Sequence, residues 1–205
     1  MPRGRGALRE HRVVSTQQIS HALDGYRPAS EQEVADVGRI RTALGREDVF
    51  SPSSPLHVTG SALVVHPESG RVLLRWHTKM QQWMQVGGHF DPGETDPREV
   101  ALREAREETG LRDLAVVGDA PVQVVVVPVP AHGDVAAHEH ADLRYVFVTH
   151  QPELARAESS AARLKWTALA TASGEVGEDN LRVFLARTRA MIDAMYPRDD
   201  GPAKA

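Results

Sequence analysis

The spacing of apolar residues changes several times along the chain and predicts helices and strands in turn. A Ser30–Glu33 capping pattern opens a helical repeat that ends near Gly45, with an apolar stripe at Val34, Val37, Ile40 and Leu44. A β-branched run over 58–65, a Pro-Glu-Ser-Gly turn and a second run over 72–76 then predict a β-hairpin.

A second zone of strands and a last helix follow. Apolar runs cover 122–127 and 143–148, and alternation in the latter run predicts a half-buried strand with Leu143, Tyr145 and Phe147 on one face. A helical repeat then runs up to Pro197, at Leu181, Phe184, Leu185, Thr188, Met191, Ile192 and Met195. Because strands and helices interleave without regular βαβ spacing, we expect a mixed sheet between helical layers.

Composition and charge narrow the classes of function. The chain has 205 residues, enough for one domain with a sizeable core. Its 24 Lys and Arg against 28 Asp and Glu give a net charge of -4, which argues against nucleic acid or an anionic membrane as partner. Without cysteine, any metal must be held by oxygen or imidazole. No stretch approaches the roughly 20 apolar residues of a membrane span, and the basic start lacks the apolar core of a signal peptide, so we expect a cytoplasmic protein.

The most strongly marked helix lies in the middle of the chain. Asp96 suits the N-cap, Pro97 the first helical position and Gly110 a left-handed end. These signals predict a helix over 97–109.

Three glutamates share one face of this helix, since Glu104, Glu107 and Glu108 are three and four residues apart. The spacing alone fits a solvated acidic face paired with nearby arginines, or a site for Mg2+, which prefers oxygen ligands. A glycine-rich loop directly before the helix favours the metal site, because glycines let main-chain atoms approach a ligand closely: Gly87, Gly88 and Gly93.

Loop and helix together resemble the Nudix box: a glycine, five residues, a glutamate, a spacer, Arg-Glu, an aliphatic residue, any residue, Glu-Glu, any residue, glycine and an aliphatic residue. The matching positions are Gly88, Glu94, Arg103, Glu104, Ala105, Glu107, Glu108, Gly110 and Leu111. Two features depart from the pattern: the spacer holds eight residues instead of seven, and Ala105 is small. We expect the insertion to lengthen the turn near Asp96 without moving the glutamates relative to one another.

The resemblance implies an α/β/α sandwich of the α+β class with a mixed central sheet. It also implies a Nudix-type pyrophosphohydrolase that cleaves a nucleoside diphosphate linked to another moiety, a small-molecule substrate, with Mg2+ or Mn2+. The implied metal ligands are Glu104, Glu107, Glu108 and the Gly88 carbonyl, and one glutamate would activate water. Arg103 is expected to orient a glutamate, or else to form a surface ion pair, while Glu94 and Gly87 support the loop. The alternative function is a non-catalytic Nudix-like module that senses a nucleotide or metabolite.

A second polar cluster lies outside the box. His138, His140, Asp142 and Arg144 alternate and would face one way if their strand begins early. This face is open to three interpretations: a solvent-exposed face, a substrate contact that also involves Glu139, or a separate imidazole–carboxylate site for a transition metal. A histidine-based metalloprotein centred on His132, His138 and His140 is the third overall function. Other candidate substrate contacts are Arg75, Lys79 and His89.

These patterns divide the chain into three parts. We expect an N-terminal helical extension over 1–50, a Nudix-like hydrolase domain over 57–196 and a flexible tail over 197–205. The extension could form a lid, a homodimer contact or a cover for the core.

Overall fold

The computed structural model describes residues 16–197. The beginning of the expected extension and the expected tail, apart from Pro197, lie outside the described residues. The described helices are α1 (16–25), α2 (Glu31–Ala43), α3 (Pro97–Thr109) and α4 (Asp179–Met195). The described strands are β1 (Leu56–His66), β2 (Arg71–His77), β3 (Gln82–Met84), β4 (Val86–His89), β5 (Ala115–Val116), β6 (Gln123–Val129), β7 (His138–Val148) and β8 (Leu164–Ala168).

The eight strands form one mixed sheet centred on β1 and β7. These two strands run parallel, with Leu56 opposite Glu139 and Val65 opposite Val148. The other edge of β1 pairs with β4 and then with β2, both antiparallel. The outer edge of β7 pairs with β6 and β5, while β3 and β8 pair with β2. The predicted hairpin is therefore confirmed, with Val65 opposite Val72 across its turn.

Helices cover both faces of the sheet, which confirms the predicted sandwich. One buried apolar cluster joins α1, α2 and α3 to one face, and the other joins α4 to the opposite face. The prediction of a half-buried β7 was wrong, because both faces of this central strand are covered. Leu143 and Val146 point to opposite faces and are each fully buried.

Helix α2 is capped as predicted and buries most of the predicted stripe, with Ile40 and Leu44 in the core and Val37 packed against it. The Ser30 side chain accepts a hydrogen bond from the Glu33 N–H. Val34, however, is 60% exposed, and Glu33 and Asp36 point inward instead. Arg187 of α4 donates to Glu33, and Asp36 accepts from the Val126 N–H at 3.0 Å. These polar contacts, together with buried Ile40, tie this part of the N-terminal segment into the domain.

Helix α4 buries the predicted stripe from Leu181 to Ile192, and Met195 lies exposed at its end. Within residues 16–197, no helix has both the length and the apolar character needed to cross a membrane.

Candidate active site

The acidic helix packs unusually close to the sheet. Asp96 caps α3 by accepting from the Arg98 N–H at 2.8 Å, and Gly110 ends it at a φ of 71°, both as predicted. On the sheet side, a Cβ at Gly60 would lie only 2.6 Å from the Pro97 carbonyl oxygen. The missing side chain on β1 therefore lets α3 lie directly against β1 and β4, where the glycine loop begins.

Arg103 connects the glutamates of the helix to the loop. Its guanidinium donates to both carboxylate oxygens of Glu94, at 2.8 and 3.0 Å, and to the His89 carbonyl at 2.8 Å. It also donates to Glu104 at 2.8 Å and to Glu107 at 3.2 Å. The longer spacer thus leaves the pair between Glu94 and Arg103 intact. The planar fork of arginine suits this role because it can hold several acceptors in fixed directions.

Glu108 lies deeper than the other two glutamates. Its carboxylate accepts from the Gly87 N–H at 3.1 Å and lies 3.2 Å from the Arg75 guanidinium, which also pairs with Glu158. Burial raises the pKa of Glu108 to about 7, and Arg75 and the Gly87 N–H offset this effect only in part. A carboxyl group that titrates near neutral pH is suited to exchange protons or to bind a cation.

Glu104 packs against the glycine loop, and burial raises its pKa as well. A Cβ at Gly88 would lie 2.4 Å from a Glu104 carboxylate oxygen, so only glycine leaves this space free. Glu107 is more open, with 56% of its side chain exposed. Two partly buried carboxylates and one open carboxylate thus lie on the face of α3 that meets the glycine loop, and carboxylate oxygens are ligands that Mg2+ prefers.

A cavity of about 250 Å³ adjoins the glycine loop. Gly87 and Gly88 of the loop line this cavity, and strands β1, β4, β6 and β7 border it. Its wall is mixed in polarity: Met80, Met84, Val86, Val127, Pro128 and Val129 are apolar, while Thr59, Ser61, His77, Gln85, His89, His140, Asp142, Arg144 and Glu178 are polar. A molecule in this cavity would contact the glycine loop at Gly87 and Gly88, whereas no residue of α3 is part of the wall.

Four histidines meet beside this cavity, and two of them, His89 and His140, line it. His57 pairs with His140 across β1 and β7, and ring centroids of His57 lie 5.0 Å from His89 and 5.2 Å from His138. Burial lowers the pKa of His57 and His89, and it lowers that of His140 to about 4. These three rings are therefore uncharged near neutral pH.

The strand that carries His138 and His140 begins early, as the alternation required. The interpretation of its polar face as solvent-exposed was wrong for Asp142 and Arg144, which are 3% and 1% exposed. Asp142 accepts from Thr59 and Ser61 on β1 and from Arg144, all within 2.9 Å. Because α4 covers this side of the sheet at Phe184, beneath the Arg144 guanidinium, a solvated face is impossible here.

Comparison with known proteins identifies the family. The family model described as the NUDIX domain matches residues 55–187. The chain belongs to the Nudix family. This match confirms the predicted fold and the predicted enzyme class, a Nudix-type pyrophosphohydrolase. No curated protein matches the chain significantly.

Solved Nudix structures share the fold at low sequence identity. The Nudix hydrolase RenU from M. smegmatis is 21% identical, with a TM-score of 0.51, over 69% of this chain and 88% of its own. A C. elegans Ap4A hydrolase in a binary complex is 17% identical, with a TM-score of 0.52, over 67% and 98%. The E. coli dihydroneopterin triphosphate pyrophosphohydrolase is 16% identical, with a TM-score of 0.50, over 68% and 94%.

The remaining candidate residues of this Nudix protein are distributed unevenly around the site. Arg75 reaches Glu108, and His89, His140 and Asp142 line the cavity. Lys79 is exposed in the turn after β2 and is not part of the cavity wall. Glu139 pairs with Arg39 of α2 rather than with the polar face of its own strand.

Sequence reasoning missed His57. It stands in an apolar strand, where a lone histidine gives no spacing signal, and its neighbours His138 and His140 come much later in the chain. The one sequence signal was that His57 is a polar residue between Leu56 and Val58 at the start of an apolar run. The sequence predicted a group of His132, His138 and His140, but the structure brings His57, not His132, together with His138 and His140.

Proposed function

We propose that this Nudix protein hydrolyses a pyrophosphate bond in a nucleoside diphosphate linked to another moiety, with Mg2+ or Mn2+ as cofactor. One observation carries the proposal: Glu104 and Glu108 are held, partly buried, against the backbone of Gly88 and Gly87, and these two glycines line the cavity. A diphosphate bound at the glycine loop would therefore lie next to the two carboxylates whose pKa values burial raises.

The residues that would hold the cation are Glu104, Glu107, Glu108 and the Gly88 carbonyl. When bound, Mg2+ would screen the diphosphate charge and lower the pKa of a bound water. Arg103 would position Glu104 through their hydrogen bond, and Glu94 would hold Arg103 in turn. The raised pKa values suit the buried glutamates to take up the proton of the attacking water, as its oxygen bonds to phosphorus and the anhydride bond breaks.

Arg75 is the candidate phosphate contact. Its guanidinium already lies between two carboxylates, Glu108 and Glu158, so it is fixed at the acidic helix rather than free in solvent. The negative net charge and the small cavity favour a small metabolite over nucleic acid. The apolar wall at Met80, Met84 and Val127 would receive the less polar part of the substrate.

The test is a phosphate-release screen of the purified chain over nucleoside triphosphates, nucleotide sugars, ADP-ribose and dinucleoside polyphosphates, with Mg2+ or Mn2+ and a coupled phosphatase. We expect turnover that is lost in EDTA and falls about 100- to 1,000-fold in Glu108→Gln, as for removal of one group that stabilises charge at a reacting centre. Glu99→Gln, on the same helix but 61% exposed, is the matched control and should leave turnover unchanged.

Unchanged turnover in Glu108→Gln would refute the assignment of the acidic helix. Binding of a nucleotide without turnover in either metal would instead support the sensing module.

A further inference from the structure

A second cluster of donor atoms lies apart from the glutamates. His57 near the start of β1 and His138 and His140 at the start of β7 each offer one ligand atom, and these atoms lie within 4.8 Å of one another. Among the described residues, this is the one such group of histidines and carboxylates. His57 is fully buried, and the other two are half-buried.

The hydrogen bonds of these rings fix which nitrogen is free. Nδ1 of His57 lies 3.0 Å from the Ser54 carbonyl, and Nδ1 of His138 lies 2.9 Å from the Ala136 carbonyl. A carbonyl only accepts, so each Nδ1 carries the proton and each Nε2 carries a lone pair. Backbone carbonyls hold metal-binding histidines in the same way, through the ring nitrogen that faces away from the metal.

The free nitrogens have too few donors around them. Nε2 of His57 is buried without a hydrogen-bond partner, and so is Nε2 of the neighbouring His89. Nε2 of His138 lies 3.3 Å from Nε2 of His140, and a proton on His140 would satisfy that pair alone. Asp142 cannot donate a hydrogen bond to His57, because its carboxylate oxygens accept from Thr59, Ser61 and Arg144. A buried acceptor without a partner is costly, so the cluster calls for a positive centre.

We propose that His57, His138 and His140 bind a divalent first-row transition metal of the Zn2+ type through their Nε2 atoms. Imidazole nitrogen suits Zn2+ and its neighbours, whereas Mg2+ prefers the oxygen ligands of the acidic helix. Three histidines are also a known ligand number for zinc sites that keep an open position. His140 lines the cavity, so the metal would lie at its histidine end, whether or not the proposed hydrolysis holds.

The test measures metal binding directly, on the full chain without a histidine tag and after removal of metals. Titration with Co2+, followed by its visible absorption, and with Zn2+ by calorimetry should each give one site that excess Mg2+ does not displace. His138→Ala should weaken this site by at least about 10- to 100-fold, the loss seen when only a supporting partner of a ligand is removed. The exposed His150→Ala is the matched control and should bind like the wild type.

Glu108→Gln separates this proposal from the proposed function, because it should abolish turnover and leave the Co2+ spectrum unchanged. Should His138→Ala fail to fold by circular dichroism, His140→Gln takes its place with the same expected loss. The proposal is overturned when the folded wild type binds neither Co2+ nor Zn2+, or when binding is equal in the wild type and the folded histidine variant. Loss of binding in Glu108→Gln alone would place the cation at the carboxylates and also overturn it.

Discussion

The glycine loop before the acidic helix and the histidine cluster border the same cavity, but the two regions satisfy their polar groups in opposite ways. Glu104 and Glu107 are paired with Arg103, and Glu108 lies against Arg75 and the Gly87 N–H. In the histidine cluster, Nε2 of His57 has no hydrogen-bond partner, and the same holds for Nε2 of the neighbouring His89. Arginines can hold the glutamates in place without a metal, whereas the histidines have no equivalent within the described chain.

Burial also acts on the two regions in opposite directions. It raises the pKa of Glu108 to about 7 and lowers that of His140 to about 4, because in both cases it penalises the charged form. Rising pH therefore costs stability in the acidic region as Glu108 loses its proton. Falling pH costs stability in the histidine region, because below about 6.5 the unfolded chain binds protons that the folded cluster rejects.

The largest expected effect is on the free energy of unfolding and concerns the buried Asp142–Arg144 pair, on the same strand as His138 and His140. Asp142→Ala would leave the Arg144 guanidinium buried without its carboxylate and would remove the contacts to β1, so we expect a loss of about 3–5 kcal/mol in the free energy of unfolding. Glu139→Ala, on the same strand but in the exposed pair with Arg39, should cost at most about 1 kcal/mol. Urea unfolding measures both, and equal losses would show that the two carboxylates are equivalent.

The next effect isolates the glycine loop. A Cβ at Gly88 would lie 2.4 Å from a Glu104 oxygen, and that flexible carboxylate would have to swing away. We expect Gly88→Ala to fold and to lose about 100-fold in turnover, since a shift of about 1 Å at a reacting group has this cost. Its Co2+ binding should match the wild type. Gly38→Ala, with open space around its Cβ position in α2, should keep full activity and gain about 0.5–1 kcal/mol in stability.

Parallel loss of turnover and Co2+ binding in Gly88→Ala would show that the two regions form one site.

The same contrast explains what sequence reasoning could reach. The acidic region is local: the cap at Asp96, the stop at Gly110 and the spacing of the glutamates all lie within one loop and one helix, so their geometry follows from helix periodicity. With the extra spacer residue present, Arg103 still donates to Glu94.

The failures involve partners that are remote in sequence. Val34 was expected inside because apolar residues usually face the core, but Glu33 is buried by Arg187 and Asp36 by the Val126 N–H, contacts that no helical pattern contains. His57 likewise becomes a candidate ligand only because it lies opposite His140 of β7, and these two strands are remote in the sequence. The apolar repeat of a helix or strand predicts which of its faces is buried. It gives no information on which distant polar group packs against that face.

The smallest effect tests whether the acidic region stores strain that the cation relieves. Between its ordinary pKa of 4.5 and about 7, Glu108 keeps its proton in the folded chain but loses it in the unfolded chain, so stability falls as pH rises through this window.

The Glu108→Gln variant tests this, because a glutamine side chain carries no charge at any of these pH values. In EDTA, we therefore expect Glu108→Gln to match the wild type near pH 4.5 and to exceed it by about 1–3 kcal/mol at pH 8, measured by urea unfolding. Glu99→Gln, on the same helix with an exposed side chain, is the matched control. Added Mg2+ should close the gap at pH 8 by stabilising the charged carboxylate of the wild type. A gap that does not depend on pH would mean that the Glu108 carboxylate is solvated, and the contrast with the histidine cluster would then rest on the unpartnered nitrogens alone.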